Sequence, residues 1–256
     1  MGLDIYAGTF TRYYAQNWKT VTQQWAEENG YAFTRIVANS DENDEEQMSP
    51  DEIQEDMENY RTHFITAITP EGQASYAPWV EDNHSPYYTD KPDWDAYGAL
   101  LLYAAAEKLK APFPDTVPKG FDFNEQPLIK KMQETEGKNW SLFSDATCWL
   151  PIEDPFYFQG PMPNGATAVI GTVGGLKSEL EAINSFRWEA NEETVLSWKK
   201  TEGYVADSTI SEDGKITKTA EYEQHDTESL AKYAFAMFWE AVQFSLNHNV
   251  PIILDY

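Results

Sequence analysis

The sequence contains a single cysteine and few basic residues, and these two shortages exclude several kinds of site. Cys148 is the only cysteine among 256 residues, so an internal disulfide and a cysteine-rich zinc site are both excluded. Eighteen Lys and Arg stand against 43 Asp and Glu, which leaves a formal net charge of −25. A surface this acidic repels nucleic-acid phosphates and anionic lipids, so we expect the protein to bind neither nucleic acid nor a membrane.

The sequence also lacks a long uninterrupted apolar run. Its most apolar segment, residues 233–246, is too short to span hydrocarbon and contains Glu240. Near the N-terminus, Asp4 and Arg12 interrupt the apolar stretch that a signal peptide needs. Together with the single cysteine, these features predict a cytoplasmic protein.

The composition that remains is typical of a chain that folds. Glycine and proline number only 14 each, whereas 41% of the residues are apolar and 14% are aromatic. A chain of 256 residues can bury a sizeable core and is close to the upper size of one domain. We therefore expect one globular domain over residues 1–256, with the proline-rich stretch 112–127 as the place where a subdivision would fall.

Hydrophobic periodicity predicts alternating strands and helices. The N-terminal part is predicted to contain a strand over 3–11, a helix over 16–29 and a second strand over 33–37. Further helices are predicted at 94–109, 128–136, from Leu176 and for about 20 residues from Asp226 or Thr227, with strands at 168–173 and 250–254 and a hairpin at Asp213-Gly214. This order predicts an α+β or mixed α/β fold, with a central mixed sheet, a buried C-terminal helix and an exposed hairpin.

Ten carboxylates lie between residues 41 and 58. Ser49 to Glu52 forms a capping box, and Ile53, Met57, Tyr60, Phe64 and Ile68 follow at helical spacing, which leaves the acidic residues on the opposite face. This face could engage the Lys and Arg of a partner, or it could serve hydration alone. The residues predicted to contact a partner are Asp44, Glu45, Glu46, Asp51, Glu52, Glu55 and Asp56.

An aromatic loop over residues 76–95 holds the second group of candidate residues. Its predicted ligand residues are Trp79, Asp82, His84, Tyr87, Asp90 and Asp93. Carboxylates with an imidazole could hold a divalent cation, and carboxylates beside aromatic rings could serve glycoside hydrolysis. The alternative is that the aromatic rings simply pack beneath an exposed loop.

Three other motifs are incomplete, and we expect neither a cofactor nor a bound metal from them. Residues 41–52 resemble a calcium loop, but Glu46 stands where the tight turn requires Gly. Cys148-Trp149 resembles the nucleophile dipeptide of papain-like cysteine proteases, but Leu142 stands where that family has Gln, so we expect Cys148 to be a small buried residue. The spacing within 171–175 fits no phosphate-binding loop and predicts a turn into a helix.

The charge and the lack of a complete catalytic motif favour a non-enzymatic interaction protein. We expect it to bind a basic protein partner, as an inhibitor, an immunity protein or a mimic of nucleic-acid charge would. The alternative is a hydrolase or metal-dependent enzyme that uses loop 79–95, with His225 or His248 brought near by folding. The first hypothesis needs carboxylates gathered on one exposed surface, and the second needs ionisable groups that converge in a cleft.

Overall fold

The computed structural model describes residues 2–32, 48–205, 208–210, 216–218 and 223–256. It confirms the α+β prediction, since these residues form helices and a mixed sheet. The helices are α1 (Phe10–Tyr14), α2 (Val21–Glu28), α3 (Pro50–Ile68), α4 (Asp93–Leu109), α5 (Pro127–Glu134), α6 (Val173–Arg187), α7 (Glu192–Thr201) and α8 (Thr227–His248). The strands are β1 (Asp4–Ala7), β2 (Tyr88–Asp90), β3 (Thr116–Pro118), β4 (Ala146–Leu150), β5 (Tyr157–Pro161), β6 (Thr167–Thr172), β7 (Ser208–Ile210), β8 (Ile216–Lys218), β9 (Gln224–Asp226) and β10 (Ile252–Asp255).

Six strands form the main sheet in the order β2-β1-β10-β4-β6-β5. Strands β4 and β6 are parallel, and the other neighbours are antiparallel. The C-terminal strand lies inside the sheet as predicted, because Ile253 of β10 is paired with Tyr6 on one side and with Cys148 on the other. Two smaller sheets join β3 to β9 and β7 to β8, and the second of these is the predicted hairpin, whose Asp213-Gly214 turn lies outside the described residues.

Each face of the main sheet carries its own hydrophobic core. One core packs α4 and α8 against strand residues such as Ile5 and Leu254, and α8 is buried along most of its length, as predicted. The other core packs Phe10 of α1, Phe64 of α3 and Trp79 against Tyr6. We call α1, α3 and residues 76–87 the N-terminal layer, because they cover this second face. The molecule is thus a sheet between two helical layers.

Near the N-terminus, the predicted strand over 3–11 is too long and the predicted helix over 16–29 begins too early. The strand ends at Ala7, because Thr9 caps α1 by accepting a hydrogen bond from the Arg12 N–H at 3.1 Å. Helix α2 begins only after Thr20, where a capping box with Gln23 starts it. The predicted strand over 33–37 lies outside the described residues.

The predicted turn at Gly174-Gly175 is instead the first turn of α6. Thr172 is the N-cap, and its Oγ1 accepts a hydrogen bond from the Gly175 N–H at 3.2 Å. Gly174 is needed because a Cβ there would lie 1.8 Å from the carbonyl oxygen of Glu153. Close packing of the preceding chain against the helix therefore explains this glycine.

Candidate functional site

Helix α3 begins as its sequence predicts. The Ser49 Oγ accepts a hydrogen bond from the Glu52 N–H at 3.3 Å, and the Ser49 N–H donates to the Glu52 carboxylate at 2.7 Å. These hydrogen bonds from Ser49 lower the pKa of Glu52. Pro50 occupies the first helical position, where its missing N–H costs nothing. The cap therefore holds an ionised Glu52 at the positive end of the helix dipole.

The apolar stripe of α3 faces the sheet and fixes the helix in one orientation. Met57 and Phe64 are buried, and Tyr60 packs edge to face against Phe10 of α1, with ring centroids 5.8 Å apart. The opposite side of the helix is exposed to solvent. We call its four exposed acidic residues the α3 carboxylate face: Asp51, Glu52, Glu55 and Asp56.

Among the residues that the structure describes, no basic side chain forms an ion pair with the α3 carboxylate face. Within the described ranges, none of its four residues has a Lys or Arg nitrogen within 4.0 Å. The nearby arginines bind backbone instead, since Arg61 donates to the Trp79 carbonyl at 2.5 Å and Arg12 donates to the Ser85 carbonyl at 2.7 Å. Arg12 and Arg61 thus hold the layer together through its backbone and do not pair with these carboxylates.

The sequence itself is more acidic in its first third than in the remainder. Residues 1–90 contain 17 Asp and Glu but only four Lys and Arg, whereas residues 91–256 contain 26 and 14. The first part therefore carries −13 of the total −25 in about a third of the chain. Charge counted along the chain would have predicted that its first third is the more acidic part.

A groove of about 510 Å³ borders the α3 carboxylate face. It lies where α3 meets the end of α1 and the β5–β6 connection. Tyr14, Ile53, Met57 and Pro163 supply apolar lining, and Asp56 belongs both to the groove and to the carboxylate face. We call this feature the α3 groove. It offers an apolar surface next to carboxylates that pair with no basic side chain in the described ranges.

A buried carboxylate, Glu81, fixes α1 beside this groove. It accepts hydrogen bonds from the Thr11 N–H and the Thr11 Oγ1, both at 2.9 Å, and from the Trp79 Nε1 at 2.8 Å. The Phe10 N–H donates to it at 3.3 Å. Burial raises the pKa of Glu81, although these hydrogen bonds favour its charged form. Glu81 therefore joins residues 79–81 to the first turn of α1.

A second buried carboxylate, Glu179 of α6, makes similar contacts behind the opposite face of the sheet. It accepts hydrogen bonds from the Ser141 N–H at 2.6 Å, the Ser141 Oγ at 2.8 Å and the Leu142 N–H at 3.0 Å. Burial raises the pKa of Glu179 to about 7. It borders a cavity of about 310 Å³ that Lys108 also lines. Because both carboxylate oxygens already accept hydrogen bonds, Glu179 has a structural role.

The predicted ligand residues at the start of loop 79–95 serve the local structure. Trp79 is buried in the N-terminal layer, and Tyr87 stacks on Tyr6 with ring centroids 5.9 Å apart. Asp82 accepts hydrogen bonds from the His84 N–H at 2.7 Å and the Ser85 N–H at 2.6 Å. Burial acts to raise the pKa of Asp82, but these hydrogen bonds prevail and lower it. The ring of His84 is exposed.

The remaining two predicted ligand residues lie apart from this turn. Asp90 ends β2 and contacts Lys199 of α7, with its Oδ2 2.5 Å from the Nζ, and Lys199 also contacts Glu240 of α8 at 2.6 Å. Asp93 begins α4 and accepts a hydrogen bond from the Trp94 N–H at 2.9 Å. The loop therefore contributes to two different layers. Nowhere in the described part of the chain do three His, Cys, Asp or Glu side chains group as a metal ion requires.

The two other sequence motifs are enclosed by the chain itself. Cys148 lies fully buried in β4, as expected of a small core residue, and burial raises the pKa of its thiol. The first turn of α6 is covered by backbone, because the Gly174 N–H donates to the Ile152 carbonyl at 2.9 Å. The Thr172 hydroxyl likewise donates to the Asp154 carbonyl at 2.7 Å. These carbonyls occupy the place where an anion would bind.

Asp44, Glu45 and Glu46, the other predicted partner contacts, lie outside the described residues.

Among the helices of the described ranges, none has both the length and the apolar character required to cross a bilayer. No protein-family model, curated protein or solved structure matches this chain. The interpretation of the site therefore depends on its own residues.

Proposed function

We propose that the protein captures a basic protein partner through the α3 carboxylate face and so blocks the partner's own function. An inhibitor, an immunity protein or a mimic of nucleic-acid charge would act in this way. A reducing, cytoplasmic setting suits the proposal, since the single cysteine permits no internal disulfide.

The observation that carries the proposal is the set of exposed carboxylates with no basic neighbour among the described residues. Unneutralised charge of one sign attracts an oppositely charged protein over about 10 Å at 0.1 M salt and accelerates its association. Helix α3 is held by its cap and its buried stripe, so the backbone that carries these carboxylates is ordered before a partner arrives. A helix that is already formed lowers the entropy lost on binding.

The enzyme hypothesis has less support. Asp82 and Asp90, two of the carboxylates that it needs, are engaged in hydrogen bonds or an ion pair within the chain and belong to different layers. We therefore keep loop 79–95 as the weaker candidate. If it is a metal site, dialysed protein will retain a stoichiometric divalent metal that is lost on His84→Ala.

The proposal is tested by binding of the partner at increasing salt. The immobilised protein should retain a basic polypeptide from lysate of the source cells, and the dissociation constant of the purified pair should rise with salt. Changing Asp51 and Asp56 to Asn and Glu52 and Glu55 to Gln should weaken binding about 30-fold, because four exposed ion pairs at about 0.5 kcal/mol each contribute about 2 kcal/mol. Gln at position 52 still fits the capping box, so α3 should keep its structure.

A matched control removes the same charge from the other helical layer. Four exposed acidic residues there are changed to Gln: Glu134, Glu189, Glu192 and Glu193. This variant has the same net charge as the α3 variant and should bind within about twofold of wild type. Equal loss in both variants would mean that only net charge matters, and no loss in either would reject electrostatic capture.

A further inference from the structure

The α3 groove is both concave and largely apolar. Its lining is largely apolar, and the half-buried Ile53 and the 48% exposed Met48 leave apolar side chain in contact with solvent. Its volume of about 510 Å³ falls within the range of pockets that hold a ligand or a large side chain. A surface needed only for solubility would not require this apolar concavity.

The charge around the groove restricts what can occupy it. Asp56 lines the groove and continues into the α3 carboxylate face, and the described lining contains neither Lys nor Arg. An acidic or phosphorylated segment would be repelled here, whereas a segment with Lys or Arg beside an apolar side chain would match both features. Protein interfaces are commonly built in this way, with an apolar anchor surrounded by a polar rim.

The two walls of the groove are built from different kinds of residue. Tyr14 and Ala15 belong to the end of α1, whose first turn Glu81 fixes through three hydrogen bonds. Met57 contributes a flexible thioether that can adjust to side chains of different shape. One wall is therefore fixed in position, while the methionine can adapt to what enters.

We infer that the α3 groove receives an apolar side chain, aromatic or long aliphatic, which the basic partner presents between Lys or Arg residues. The inference rests on the proposed function and adds the chemistry of the contact. The carboxylate face attracts the basic residues, and the groove anchors the apolar side chain between them. Selectivity among basic proteins then comes from the groove, because the charges alone would accept any of them.

Three labelled heptapeptides separate the two contributions: KKKWKKK, KKKAKKK and EEEWEEE. Their dissociation constants are measured by fluorescence anisotropy at about 50 mM and about 300 mM salt. Wild type should bind KKKWKKK about tenfold more tightly than KKKAKKK, because the tryptophan buries apolar surface. Both lysine peptides should weaken at the higher salt, and EEEWEEE should not bind.

Two variants change the shape or polarity of the α3 groove without changing the net charge of the protein. Ala15 is half-buried at the end of α1, and Ala15→Trp should fill the groove, so that KKKWKKK binds no better than KKKAKKK while the affinity for KKKAKKK stays the same. Ile53→Thr should reduce the preference in the same direction without adding bulk. Ala74→Trp, at an exposed position outside the groove, is the matched control and should keep the tenfold preference.

Any other result would contradict the inference, and each such result would identify which part of it is wrong. Equal, salt-sensitive binding of both lysine peptides to wild type would refute the groove and leave electrostatic capture intact. Failure of both lysine peptides to bind at low salt would refute capture itself and the groove with it. Binding of EEEWEEE would show an apolar site that ignores charge, and self-association abolished by Ala15→Trp would assign the groove to a second copy of the chain.

Discussion

Glu81→Gln tests whether the buried carboxylate holds α1 in place beside the groove. Glu81 is 6% exposed and accepts four hydrogen bonds, from the Phe10 and Thr11 N–H groups, the Thr11 hydroxyl and the Trp79 indole. Glutamine keeps one acceptor oxygen and places an amide N–H against the remaining donors. Two charge-assisted hydrogen bonds, which contribute about 1.5–3 kcal/mol each, are lost. Part of this loss is offset because the uncharged glutamine does not incur the free-energy cost of burying a charge.

We expect the free energy of unfolding to fall by about 3 kcal/mol, which corresponds to a decrease in Tm of about 9 °C for a chain of this size. Urea denaturation measures the first quantity, and hydrogen exchange of the Phe10 and Thr11 amides should accelerate in the same variant. Glu71→Gln, at an exposed position in the neighbouring loop, is the control and should change stability by less than about 0.5 kcal/mol. Wild-type stability with unchanged exchange in Glu81→Gln would refute the structural role.

Three further predictions concern other buried groups. The pKa of Glu179 is raised to about 7 in the folded chain, against 4.5 in the unfolded chain. Between these pH values the folded state binds more protons than the unfolded state, so the free energy of unfolding falls as the pH rises. This loss is at most about 3 kcal/mol. In Glu179→Gln, the free energy of unfolding should depend less on pH over this range. An unchanged slope would contradict the raised pKa of Glu179. Lys199→Met leaves the buried Asp90 carboxylate without its cation and should destabilise the protein by about 2 kcal/mol in urea denaturation, whereas equal stability would mean that the ion pair contributes nothing. Cys148 should react with a thiol reagent only as fast as the protein unfolds, so rapid labelling of the folded protein would disprove its burial.

Elements with local signals were predictable from the sequence. Helix α3 was located through its capping box and its apolar spacing, and α8 through its length and its continuous apolar character. Strand β10 was recognised as a buried strand, and the β7–β8 pairing was expected from the turn signal between the two strands. In each of these cases a few consecutive residues determine the structure.

The predictions from the sequence were wrong where contacts between residues far apart in the chain determine the structure. Alternation of apolar and polar residues continues past Ala7, but Glu81, 70 residues away from Thr11, binds the backbone there and favours a helix over the strand. In the same way, sequence proximity suggested that Asp82 and Asp90 share a site. Pairing of β2 with β1 instead places Asp90 against α7, which local patterns cannot reveal.

The contacts of the described arginines favour the proposed binding role of the α3 carboxylates over hydration alone. If the carboxylates of α3 served hydration alone, nearby arginines would lower the mutual repulsion by pairing with them, at little cost to solubility. Arg12 and Arg61 instead donate to backbone carbonyls, and Lys19 pairs with Glu27 of α2 at 2.7 Å. Among the described residues, no cation relieves the repulsion among the α3 carboxylates, and the basic partner that we propose would relieve it on binding. Salt should accordingly stabilise the free protein while it weakens the complex, and if the α3 carboxylates contribute to both effects, both should be smaller in the α3 variant than in the charge-matched control variant.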